Sequence, residues 1–326
     1  MKTMTGPDAR PAPHDPKPAA RREAPGSRRG RGWLTAFLFV LPALVLFVLL
    51  VMAPILVAGY TSLYKWNGIG PPSNFIGLDN FTRLFQSDIF AGDLRNGAIL
   101  IVLGLGVQLP LSLGLAVMLN QRIRGRALYR LLFFAPYMLS EAITAVLFSL
   151  ILSPEAGMAN QLLTSWGLEP WPWLSEPDTV MFSLFLVITW KYFGFHMIIY
   201  LAGLQGIPKE LSEAARIDGA GGWQVFRHVT LPLLGPTIRV SVFLSVIGTI
   251  QLFDLVWILT GGGPSHASET MAVTMFEYGF KRTQIGYSSA ISVVMFLISL
   301  VFALGYQRFV LRRDLEGAST TMGDRR

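Results

Sequence analysis

Ionisable side chains stand inside long apolar runs of this 326-residue chain: Glu141, Lys191, His196, Arg239 and Asp254, of which Arg239, near the end of its run, is expected to snorkel to water. A charge in hydrocarbon is expensive, so such residues line a cavity, pair with a partner or reach for water. Glu141 and Lys191 are expected near mid-depth, either paired with each other or a neighbouring subunit, or set in a substrate path. Trp190, Tyr192, Gln251 and Trp257 share the runs of Lys191, His196 and Asp254 and bring flat rings and hydrogen-bonding groups. For each aromatic two readings stay open: a stacking face for a ligand, or a helix contact or interfacial anchor. Catalysis has little to work with. There is no cysteine, which excludes disulfides and thiolate chemistry. The histidines His14, His196, His228 and His266 show no metal-ligand spacing. Neither a phosphate-cradling G-x-x-x-x-G-K-[ST] loop nor G-x-S-x-G nor H-E-x-x-H occurs. The expectation is therefore no catalytic residue, no metal and no cofactor bound by this chain, which is not read as an enzyme.

The elements that position these groups follow from composition. The chain is 52% hydrophobic and 14% charged, against about 25% charged for soluble domains. Six apolar runs, 33–63, 96–120, 130–152, 180–205, 233–259 and 287–309, are each long enough to cross ~30 Å of hydrocarbon as a helix. The first is too long for a signal-peptide core and lacks a cleavage pattern. The net charge of +7 does not make a nucleic-acid surface, because the basic residues cluster at the ends of apolar runs. Arg122, Arg124, Arg126 and Arg130 gather on one side with Lys209, Arg216, Arg227 and the basic residues at both chain ends. The loop 153–179 has no Lys or Arg. The positive-inside rule then places both termini in the cytoplasm. Residues 1–31 read as a disordered basic tail, 32–313 as a membrane domain and 314–326 as a flexible C-terminal tail.

Between the fourth and fifth runs lies a segment, about 206–232, unlike a plain connection. Pro208 suits a first helical turn, and Glu210 and Glu213 favour the positive end of the helix dipole. Ala214 and Ala215 are small, which permits close approach of another surface. Gly219, Gly221 and Gly222 stop the helix and allow a sharp turn, after which Trp223, Phe226 and Val229 are presented. The expectation is a helix–turn–helix elbow on the cytoplasmic side, packed on its own span ends or on a soluble partner.

The spacing Glu213-Ala214-Ala215, three residues, Gly219, nine residues, Val229, one residue, Leu231-Pro232 resembles the cytoplasmic signature of permease subunits of binding-protein-dependent ABC importers. Val229 stands where the family has Ile. "IIYLAGLQGIPKELSEAARIDGAGG", "FIGLDNFTRLF" and "LTGGGPSHASETMAVTMFEYGF" resemble the sugar-importing branch, of the maltose and glycerol-phosphate type. The resemblance implies an all-α bacterial inner-membrane protein of six helices whose elbow couples to a separate ATPase. Glu213 would pair with a basic group there, Ala214 and Ala215 would allow close contact, and Gly219 would set the elbow's angle. It further implies a second homologous permease, two ATPase subunits carrying ATP and Mg, and an extracytoplasmic sugar-binding protein. A sugar path would use Trp190, Tyr192, His196, Gln251, Asp254 and Trp257, with glycerol 3-phosphate or another polyol as the alternative cargo. An ion-coupled secondary transporter would want repeated halves, and none is evident. An intramembrane enzyme would need a catalytic pair, for which only Glu141 with His196 offers itself.

Overall fold

The computed structural model describes residues 29–121 and 123–311. The expected tails therefore lie outside the described residues, except that a helix already begins at Arg29. Arg122 is likewise outside. The described chain is helical throughout and holds no named strand; Tyr64 and Phe75 form an isolated bridge.

Four helices are long and apolar enough to cross a membrane: Ala36–Thr61, Asp88–Asn120, Pro177–Gln205 and Ile285–Val310. Two bent pairs, Arg126–Met138 with Glu141–Ile151 and Gly222–Leu233 with Gly235–Ile250, bring the number to six if each is one span. The third and fifth runs are thus not the straight helices their hydropathy suggests. The third bends by 95°. Pro136 inside its first half removes a backbone donor, and the Ser140 side chain then accepts from the Ile143 N–H and caps a new helix. The fifth span proper is Gly235–Ile250, and it meets the preceding segment, Gly222–Leu233, at 66°, where Gly235-Pro236 restarts the helix. It ends at Ile250, so Asp254 opens a separate short helix, Asp254–Leu259. Asp254 was expected part-way down a continuous span; the break overturns that placement.

The residues up to Pro54 form one unit and those from Ile55 a second. In the first, the described helix from Ala36 to Pro54 is apolar all round and its side chains are mostly exposed, Phe39 at 82%, as a helix facing lipid or another subunit should be. Within the second unit, Leu100, Phe148, Leu184 and Leu255 build one apolar cluster and Ala116, Met197, Tyr200 and Leu234 another. Helices approach closely where glycine allows it. A Cβ on Gly194 would stand 1.9 Å from the Phe133 carbonyl oxygen, and one on Gly286 2.0 Å from that of Tyr64.

Candidate substrate cavity and coupling elbow

A cavity of about 320 Å³ opens between the bent third span, the fourth span and the fifth. The fourth span gives it one face. Tyr192 and His196 are four residues apart and so lie on the same side of a helix, with Phe195 beside them. Tyr137, at the end of the first half of the third span, stacks on Phe195 with centroids 4.6 Å apart and meets Tyr192 edge-on at 6.0 Å. Glu141 opens the second half, where the start of a helix favours a carboxylate. It accepts a hydrogen bond from the Tyr192 hydroxyl. Gln251 enters from the break that ends the fifth span, and Gln108 from the second. His196 is buried, and its Nδ1 has no hydrogen-bond partner. The ring lines the cavity, while that nitrogen is sealed from solvent.

Glu141 and Lys191 do not pair. The Lys191 ammonium donates instead to the Leu139 carbonyl at 2.6 Å. That carbonyl sits in the bend of the third span, where no intrahelical donor reaches it. Lys191 thus repairs a backbone defect that hydrocarbon would penalise, and the cavity wall keeps one acidic group and no basic one.

Of the six residues expected in a ligand path, Tyr192, His196 and Gln251 meet here. The others do not. Trp190 packs edge-on against Phe148, centroids 5.0 Å apart, in the apolar core. Trp257 lies between Phe253 and Phe276 with the Lys281 ammonium 4.3 Å from its ring centre. Asp254 is exposed at the start of its short helix and does not itself line the cavity, though it stands near enough to Tyr192 to act on it electrostatically. Tyr137, Phe195 and Gln108 are the lining residues that sequence reasoning missed. Tyr137 carried a signal, since it follows Pro136 at the end of the helix Arg126–Met138.

The elbow forms as two helices, Lys209–Ile217 and Gly222–Leu233. Pro208 stands one place before the first helical residue, as its cap. Gly219 adopts φ +87°, and the Ala220 N–H reaches back to the Ala215 carbonyl at 2.9 Å. That five-residue return is the Schellman closure, which glycine at this position makes possible. Gln224 accepts from the Gly221 N–H at 2.7 Å and starts the second helix. Leu231-Pro232 leads into the bend before the fifth span, with Val229 half-buried just before it. Glu213 and Ala214 are exposed and Ala215 half-buried. Ile217 is 86% exposed and Trp223 68%, apolar surface that a finished assembly would cover.

Residues 108–314 match the family described as the binding-protein-dependent transport system inner membrane component. The chain belongs to this family. It is 36% identical to the probable ABC transporter permease protein YurN of Bacillus subtilis (strain 168), over 84% of this chain and 94% of that one. It is 35% identical to the diacetylchitobiose uptake system permease protein NgcF of Streptomyces coelicolor, over 92% and 89%. Among solved structures it resembles a bacterial alginate ABC transporter in complex with alginate pentasaccharide-bound periplasmic protein. There the identity is 26% and the TM-score 0.77, over 87% of this chain and 96% of that one. The chain is thus a multi-pass ABC transporter permease, and both the cavity and the elbow fall inside the family match.

Proposed function

We propose that this permease passes a carbohydrate through the cavity between its third, fourth and fifth spans, working with a second, homologous permease. The observation that carries the reading is the cavity wall: the rings of Tyr137, Tyr192 and Phe195 stand beside Glu141, Gln251 and His196. A pyranose has an apolar face for rings and a polar rim for hydrogen bonds. The names of the relatives, diacetylchitobiose and alginate among them, agree with such a cargo. Glycerol 3-phosphate fits less well, because a phosphate wants cations and Lys191 is spent on the Leu139 carbonyl. In this reading the elbow docks on one of two ATPase subunits, which bind ATP and Mg, and an extracytoplasmic binding protein delivers the sugar.

The test is uptake of labelled oligosaccharide by the assembled importer in vesicles. Glu141→Gln and His196→Ala should each lower uptake by about tenfold at equal assembly, the scale of one lost hydrogen bond to a polar cargo. Wild-type uptake in both variants at every sugar concentration would move the path elsewhere. Trp257→Ala, off the cavity, should leave uptake unchanged.

Orientation has its own check. With both termini and the elbow in the cytoplasm, Ser165, exposed in the loop without basic residues, faces outward. The native chain has no cysteine, so a Ser165→Cys variant should be the sole site modified by an impermeant thiol reagent in intact cells. Protection of that cysteine would invert the topology.

A further inference from the structure

A second cavity, about 650 Å³, lies between the first elbow helix and the span ends on the same side. Its wall carries four cations, Arg126, Arg130, Lys209 and Arg216, against one carboxylate, Glu213. Lys209, Glu213 and Arg216 sit at helical spacing on the elbow face turned toward Arg126 and Arg130. Among the described residues no ion pair ties Glu213 to any of the four. Arg130 gives one guanidinium nitrogen to the Leu119 carbonyl at 3.2 Å, while its Nε is buried with no partner. Ser212 and Thr230 add hydroxyls to the wall. Clustered like charges repel, and an excess of donors over acceptors asks for an anion with several oxygens.

The position says which anion. The cavity touches the last residues of Asp88–Asn120 and Pro177–Gln205 and the first of Arg126–Met138. These are the ends of helices long and apolar enough to cross a membrane, Arg126–Met138 as half of a bent pair, and headgroup phosphates lie around such ends. Basic pockets between span ends are where anionic headgroups bind. We infer that this cavity holds the phosphate of an anionic phospholipid from the leaflet on the elbow side, seated against Arg126, Arg130, Lys209 and Arg216. The lipid would neutralise the pocket and brace the elbow against the span ends. This site is independent of the sugar path and requires only that the chain spans the membrane.

The experiment uses the full-length chain in mixed phosphatidylcholine–phosphatidylglycerol nanodiscs, released and weighed by native mass spectrometry. The wild type should retain phosphatidylglycerol in preference to phosphatidylcholine. Arg126→Gln with Arg216→Gln removes two exposed charges and should lower that retention about thirty-fold, at the usual worth of a basic residue near an anionic surface. Arg124→Gln with Arg227→Gln makes the same charge change on the same side but outside the cavity, and should retain lipid as the wild type does. Equal loss in both double variants would mean general surface charge and overturn the site. Equal retention of the two lipids by the wild type would do the same. Inorganic phosphate at millimolar concentration should not displace the lipid; displacement would make free phosphate the occupant and sink the lipid assignment.

Discussion

Gly194→Ala should lose about 3 kcal/mol of stability or more, the upper range for overpacking a tight contact. The Cβ it adds would stand 1.9 Å from the Phe133 carbonyl oxygen and 2.7 Å from its carbon. Both are backbone atoms, so no side chain can rotate away, and the fourth span must move off the third. Small residues set the approach of membrane helices, because no hydrophobic force draws them together within lipid. The displaced contact at Phe133 lies one turn from Tyr137, so the cavity should open with it. Detergent-solubilised variant should unfold at a clearly lower temperature and give less folded protein. Gly97→Ala in the second span is the control: a Cβ there meets nothing within 4 Å, and alanine is the better helix former. A Gly194→Ala melting temperature equal to that of the control would show that the two helices are not held together at this point.

Hydropathy marked six apolar runs, four of them long apolar helices and two in bent pairs, yet it could not see the bends. An average over a run such as 130–152 is blind to direction. The 95° break is written in single residues, Pro136 and the Ser140 cap, that an apolar sum passes over. The cavity was half legible for a related reason. Trp190 and Tyr192 are neighbours in sequence, but two residues turn a helix by ~200°, so one faces the core and the other the cavity. Tyr192 and His196, four apart, were the pair to trust. Lys191 carried a true signal that was assigned the wrong partner. Its acceptor is a carbonyl 52 residues away, exposed by a bend that the one-dimensional pattern did not announce. Asp254 and Trp257 are both absent from the cavity lining, because the fifth span stops at Ile250 and everything after it turns to a new direction. The elbow was the most legible part, since its turn rests on Gly219, whose need for a left-handed backbone is local.

That locality gives the elbow prediction its force. Gly219→Leu should leave insertion in the membrane intact and weaken association with the partner ATPase. At φ +87° a leucine costs about 1–2 kcal/mol, so the Schellman closure opens or shifts and the two elbow helices lose their fixed angle. Nothing stands within 4 Å of a Cβ at this position, so the strain is in the backbone and stays in the elbow. The exposed surface around it, Leu211, Ala214, Ile217 and Trp223, then meets a docking groove in the wrong register. Ala214→Trp attacks the same contact by bulk alone, without strain, and should act in the same direction. Pull-down of the ATPase from detergent extract should fall about tenfold for Gly219→Leu, which is what 1–2 kcal/mol of elbow strain allows, and substrate uptake should fall with it. Undiminished association together with normal uptake in both variants would leave the elbow a plain connection and place the coupling surface elsewhere on the chain.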